Sequence, residues 1–202
     1  MDDQINTLQA QLAPGRGGKP GPAGVTLSLL TGFRLTQIAA WPETLAEAGA
    51  LASAAAGCGA APGPGRVEQG TGGMLLRAEP LKWWLLQRAG QTHAPVQGSR
   101  ACAVLDLSSA RTLVRVSGPQ AGKLLNHFLP LDLRPSAFPA GCATSTAFHH
   151  VGVTLWRTNA GFTLALPSSF AASLRELLEG SALQYGLKTR ETPFIPAEGE
   201  LE

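Results

Sequence analysis

His93, His127, His149 and His150, with Cys58, Cys102 and Cys142, are the residues from which a metal site or a reactive nucleophile would have to be built. Adjacent His149 and His150 point to opposite faces of a strand, so they cannot share one ion from that position. No Cys-x-x-Cys pair or spaced His pair accompanies them, and the ligand spacing of a zinc site is missing. The pair reads as a polar strand start. Cys102, in a strand between Ala101 and Ala103, reads as a small core hydrophobe. Three cysteines far apart read as buried thiols of a reducing compartment rather than a disulfide framework. No Gly-x-Ser-x-Gly elbow offers a serine nucleophile. Asp106, before Ser108-Ser109, reads as a turn former through local hydrogen bonds; no positioned partner makes it a general base. The residue pattern assigns no catalytic, cofactor-binding or metal-binding residue.

Two glycine runs invite a phosphate reading and fail it. Gly15-Arg16-Gly17-Gly18-Lys19 lacks the first Gly of a phosphate loop, has Pro20 where Ser or Thr would hold magnesium, and follows no strand. Gly63-Pro64-Gly65 lacks the further Gly of a dinucleotide fingerprint. The net charge of +2, with 16 Lys and Arg scattered along the chain, leaves no footprint for nucleic acid. Met1-Asp2-Asp3 has the wrong charge for a secretory or mitochondrial leader. No stretch approaches the roughly 18–20 apolar residues of a membrane span. The expectation is a soluble cytoplasmic chain without membrane or nucleic-acid partners.

The elements that must position these residues follow from the 24 Gly, the 15 Pro and the periodicity between them. Residues 1–30 read as a flexible arm and linker, 31–189 as a single folded domain, and 190–202 as a tail that wraps or frays. Inside the domain, 33–38 suggests a strand, and Pro42 opens an Ala-rich helix ending at Gly57. The run 57–73 reads as a linker. Strands follow at 74–78, 81–87, 101–107 and 112–117. Ser117-Gly118-Pro119 starts a helix with Ala121, Leu124, Leu125 and Phe128 as its apolar stripe and Ser117 or Gly118 as its cap. Strands at 142–148, 151–157 and 161–166 precede a helix capped by Ser168 or Ser169, with Phe170, Leu174, Leu177 and Leu178 on one face and Gly180 as its stop. A last strand spans 184–189. Helices spaced among antiparallel hairpins give an α+β fold of two ferredoxin-like halves, mostly antiparallel sheets with helices packed on them. A doubly wound parallel sheet would need crossover helices where strands here follow one another directly.

Charged residues make up 15% of the chain, against about 25% in ordinary domains, which suggests that part of the surface is covered by a partner. The strand 81–87 sharpens this. Leu81, Trp83 and Leu85 share one face, while Lys82, Trp84 and Leu86 share the other. A sheet with one wet side alternates apolar and polar residues, and this strand does not. Trp84, Lys82 and Leu86 are therefore the expected partner interface.

Several stretches resemble the gamma subunit of heterotetrameric sarcosine oxidase. They are Asp106-Leu107-Ser108, Arg115-Val116-Ser117-Gly118-Pro119, and Pro130-Leu131-Asp132-Leu133 with Phe138-Pro139. The strand HHVGVTLWRT, the run LPSSFAASLRELLEG and, upstream, LTQIAAWPETLA with the Trp83-Trp84 strand resemble the same family. That family is itself similar to the folate-binding domain of glycine-cleavage aminomethyltransferases. The resemblance implies an accessory subunit of an oxidoreductase acting on CH–NH groups, with alpha, beta and delta subunits as partners. The complex would demethylate sarcosine to glycine, passing the one-carbon unit to tetrahydrofolate and electrons to oxygen. It implies FAD, FMN, NAD, tetrahydrofolate and zinc on the other subunits, none on this chain, and no activity in the isolated chain. Asp132 is the one candidate for holding a pterin edge, and in Pro-Leu-Asp-Leu it also suits a turn. The resemblance leaves two neighbouring readings open: a related N-methyl amino acid oxidase or dehydrogenase, and a free-standing folate-binding one-carbon protein.

Overall fold

A computed structural model describes residues 14–91 and 96–195. Met1–Asp3, His93 and residues 196–202 lie outside the described residues. Twelve strands are described: β1 (Gly15–Gly17), β2 (Val25–Thr31), β3 (Phe33–Ala40), β4 (Arg66–Gly70), β5 (Gly73–Glu79), β6 (Lys82–Arg88), β7 (Cys102–Asp106), β8 (Arg111–Ser117), β9 (Ala143–Phe148), β10 (Val151–Thr158), β11 (Gly161–Pro167) and β12 (Leu187–Pro193). The helices are α1 (Leu45–Ala56), α2 (Ala121–Leu125) and α3 (Ala171–Ala182).

The strands form a seven-stranded sheet, β1-β12-β2-β8-β11-β10-β9, and a five-stranded sheet, β4-β5-β6-β3-β7. Only the β2–β12 pair is parallel among the described residues. The fold is the expected α+β arrangement, and its two halves follow one plan. In the small sheet, β3, β5, β6 and β7 stand in the order β7-β3-β6-β5. In the large sheet, β8, β10, β11 and β12 stand in the order β12-β8-β11-β10 once the intercalated β2 is set aside. Both are the strand order of a strand–helix–strand–strand–helix–strand unit. Each half adds one outer strand, β4 or β9, beside the strand that follows it. In the small sheet the second helix would fall between β6 and β7; residues 89–91 and 96–101, described there, contain no helix.

Three apolar layers hold this together. Val25, Leu27, Val114, Val116, Leu164 and Leu166 of the large sheet meet Leu124, Leu174 and Leu178 from α2 and α3. Leu35, Met74, Leu76, Trp84 and Leu86 meet Leu113, Trp156 and Ala165 between the two sheets. Ile38, Leu75, Trp83 and Leu85 meet Ala48, Ala52 and Ala56 of α1. Alternate residues of β6 thus feed two different cores, because a strand presents successive side chains to opposite faces.

The structure corrects several expectations. Residues 25–30 are core strand rather than arm: Val25 and Leu27 are fully buried, and β2 sits between β12 and β8. Gly15–Gly17 also pairs, with Leu187–Thr189. The run 57–73 contains β4, held by the buried Val67. The described part of the tail, to residue 195, stays in the fold through β12 and the buried Phe194, which packs edge-on against Phe33. Ser117 ends β8, and α2 begins only at Ala121 without a side-chain cap. Helix α3 begins after a 3-10 turn (Ser168–Phe170), which shifts its phase: Ala171, Leu174, Leu178 and Ala182 are buried while Phe170 and Leu177 are exposed. It runs through Gly180 to Ala182, and a 3-10 turn then ends at Gly186.

The expected interface at Trp84, Lys82 and Leu86 is also corrected. Trp84 is 6% exposed and Leu86 fully buried, because the chain's own large sheet covers that face of β6. The Trp84 indole N–H donates to Gln37 Oε1 (3.1 Å), and Arg111 lies 5.6 Å from its ring. Lys82 remains partly exposed and pairs with Glu79 at 2.7 Å.

Candidate functional site

A concavity of about 650 Å³ opens at one end of the large sheet. Its walls are the end of β8 with the turn into α2, the 133–140 loop, and the β10–β11 turn. Volumes of this size suit small-molecule ligands. Three cationic side chains line it, Lys123, Arg134 and Arg157, with the amides of Asn126 and Asn159 and the rings of Pro119, Pro135 and Pro139. No carboxylate side chain is among its lining residues.

Local chain chemistry shapes each wall. Gly118 adopts φ +102°, and a Cβ there would stand 2.6 Å from the Gly24 carbonyl oxygen, so only glycine fits the approach of this turn to β2. Gln120 N–H donates to that same Gly24 oxygen (3.0 Å), fastening the turn. Asp132 folds the opposite wall: its Oδ1 accepts from Arg134 N–H (3.1 Å), and its carboxylate accepts from the Arg134 guanidinium. Those bonds hold the Asp132 carboxyl down at about 2. On β10, Arg157 Nη1 donates to the Phe138 (2.9 Å) and Leu133 (3.3 Å) carbonyls, while the guanidinium carbon lies 4.9 Å from the Phe162 ring centroid. Arg157 is therefore a fixed cation that ties the 133–138 loop to the sheet.

The residues singled out from sequence are dispersed. Asp132 forms the turn its sequence suggested and is satisfied by Arg134. Asp106 accepts from Ser108 N–H (2.8 Å), and hydrogen bonding from Ser108 keeps its carboxyl below the ordinary range. Ser108 Oγ in turn accepts from Leu35 N–H (3.0 Å), joining that turn to β3. Cys102 is buried under α1. His149 and His150 are exposed at the β9–β10 turn, where His149 has φ +53°. His127 Nε2 lies 3.1 Å from the Tyr185 hydroxyl. Among the described residues, no group of three or more His, Cys, Asp and Glu comes together.

Gly15–Lys19 is occupied by packing. A Cβ on Gly18 would fall on the Leu183 carbonyl, to which Lys19 N–H donates (3.0 Å). These residues do not fit a phosphate cradle, whose backbone N–H groups must remain open to the ligand. The motif Ser117-Gly118-Pro119 that forms one wall is legible in the sequence, but the joining of Lys123 and Arg157 in one cleft is not. The two cations are 34 positions apart and on different elements, so no local pattern joins them.

No family model matches the chain. It is 37% identical over 82 residues to sarcosine oxidase subunit gamma of an Arthrobacter species, covering 41% of this chain and 40% of that one. It is 39% identical over 70 residues to the subunit of the same name from Corynebacterium sp. strain P-1, covering 35% and 34%. The matched stretches thus span at most about 40% of these curated relatives. A chain in the structure of heterotetrameric sarcosine oxidase from Corynebacterium sp. U-96 superposes with a TM-score of 0.68 at 26% identity, covering 82% of this chain and 87% of that one. The aminomethyltransferase T of the Bartonella henselae glycine cleavage system matches in fold, with a TM-score of 0.58 at 20% identity over 83% of this chain and 48% of that one. No helix among the described residues is long and apolar enough to cross a membrane. Over up to 41% of its length the chain is similar to sarcosine oxidase gamma subunits, and it shares its fold with a chain of the Corynebacterium heterotetramer and with an aminomethyltransferase.

Proposed function

We propose that the chain is the gamma subunit of a heterotetrameric, flavin-dependent sarcosine oxidase, an accessory chain in an assembly with alpha, beta and delta subunits. The assembly demethylates sarcosine to glycine with tetrahydrofolate as one-carbon acceptor. FAD, FMN, NAD, tetrahydrofolate and zinc reside on the other subunits. The observation that carries this reading is the superposition on a chain of the Corynebacterium heterotetramer over 87% of that chain's length. The residues add support: the glycine run nearest to a phosphate loop is filled by Leu183, and both Asp132 and Asp106 are committed to turns. An acid–base role needs a carboxylate free to reach its substrate.

Co-expression with the large flavoprotein chains and the small chain of such an oxidase tests the proposal. The expected result is stoichiometric co-purification, with sarcosine-dependent oxygen uptake that falls when this chain is omitted. The purified chain alone should be colourless and inactive. An assembly that forms and turns over fully without this chain, or stoichiometric flavin absorbance in the isolated chain, overturns the accessory role.

A further inference from the structure

The cleft beside α2 has a use that a purely structural role does not require. We propose that it binds an oxyanion, a carboxylate or a phosphate ester, carried on a flat apolar body. This rests on the cleft's own geometry and stands whether or not the chain proves to be a subunit.

Arg157 is the anchor. Its Nη1 is taken up by the Leu133 and Phe138 carbonyls, and its guanidinium stacks over Phe162. Nε and Nη2 make no hydrogen bond among the described residues, and the side chain lines the cleft. That edge of a guanidinium is a two-donor fork that matches two oxygens of a carboxylate or phosphate. The fork is held in place before any ligand arrives, so binding loses little side-chain freedom. Lys123, exposed on α2, supplies a second cation to the same cleft. Arg134 does not add net charge, because Asp132 neutralises it. Neither Lys123 nor Arg157 has a carboxylate beside it among the lining residues, and the concavity of about 650 Å³ carries exposed Pro119, Pro135 and Pro139 on its walls. An isolated inorganic ion would leave those proline rings wet, so a flat apolar body completes the fit. An acidic loop of a partner protein is the competing occupant. The concavity and the fixed fork favour a small molecule.

The test uses the full-length chain with four probes: benzoate, phenyl phosphate, inorganic phosphate and the neutral benzamide, at constant ionic strength set by chloride. Amide NMR shifts at Gly118 and Gly161, both lining the cleft, report occupancy. Saturable shifts with benzoate or phenyl phosphate, each tighter than inorganic phosphate and absent with benzamide, are expected. The tighter of the two assigns the anion as carboxylate or phosphoester. Lys123→Gln, on the exposed face of α2, and Arg157→Lys, which keeps the charge and loses the fork, should each weaken binding about tenfold or more. Because Arg157 also ties down the 133–138 loop, Lys123→Gln keeps the test meaningful if Arg157→Lys loosens the fold. Equal binding of benzamide, shifts that never saturate, or unchanged affinity in a folded Lys123→Gln overturns the proposal.

Discussion

The two halves share a strand plan but solve the packing of their helices in opposite ways. In the first half, β6 turns Trp83 toward the helix, and α1 answers with Ala48, Gly49, Ala52, Ser53 and Ala56. In the second half the large sheet turns Val and Leu toward α3, which answers with Leu174 and Leu178. Interior volume is nearly constant, so a large side chain on the sheet demands a small one on the helix. The consequence reaches function. In the first half Trp83 is closed in on its outer side, its indole N–H donating to the Pro62 carbonyl (3.3 Å) and Arg77 stacked 4.7 Å from its ring. The second half, with its short α2 and the 133–140 loop, leaves the cleft.

The largest effect should come from removing the side chain around which the first half is built. Trp83 is 1% exposed, and Trp83→Ala should cost about 3–5 kcal/mol in urea denaturation. Trp84, between the sheets, should give a loss of the same order in the isolated chain. A Trp84→Ala chain that denatures like wild type yet fails to co-purify with large subunits would return that side chain to an interface.

Much of this contrast was legible in the sequence. The alternating faces of β6, the Ala-rich helix opened by Pro42 and the strand–strand–helix order needed only periodicity and turn chemistry. The missed elements show where local signals fail. Gly15–Gly17 and Arg66–Gly70 are strands with almost no apolar side chains; the first is held by Leu187–Thr189, distant in sequence, and the second by its hairpin partner Gly73–Arg77. Val25–Thr31 carried a readable pattern, and the Gly/Pro run before it masked that pattern as linker. Tertiary context overrode the rest: α3 took its phase from the 3-10 turn before it rather than from Phe170. The cleft was the least legible feature, since its cations meet only after three separate elements have packed.

A glycine in each helix sharpens the packing contrast at smaller scale. A Cβ on Gly49 would already touch the Trp83 ring at 3.4 Å and Ala61 at 3.5 Å. Gly49→Leu should therefore overpack the first half and lose about 1–3 kcal/mol. Gly180 of α3 has open space where its Cβ would be. Gly180→Ala should gain about 0.5–1 kcal/mol through helix propensity alone. Thermal melts of the two variants moving in the same direction would break the argument that α1 is closely packed and this face of α3 is open.

The smallest effect belongs to the aspartates that fold a turn in each half, Asp106 at the end of β7 and Asp132 before β9. Both carboxyls lie below their ordinary value of 3.8, Asp132 at about 2, because hydrogen bonds from Ser108 and Arg134 favour the charged form. A depressed folded value means that the unfolded chain binds the proton more readily, so each group's stabilisation is complete above the ordinary carboxylate range. It is lost as pH falls, for Asp132 between 3.8 and about 2. The effect at Asp132 should be slight, because its ion pair with Arg134 is exposed and screened by solvent. Asp132→Asn should leave stability at pH 7 nearly unchanged and flatten the acid limb of a urea-denaturation series from pH 5 to 2. Carboxyl NMR titration of the wild type should place the Asp132 midpoint below that of Asp106, since only Asp132 gains a charged donor in direct contact. A midpoint for Asp132 near 3.8 would mean that the Arg134 pair does not persist in solution. The 133–140 wall of the cleft would then rest on Arg157 and on the buried Leu133 and Phe138.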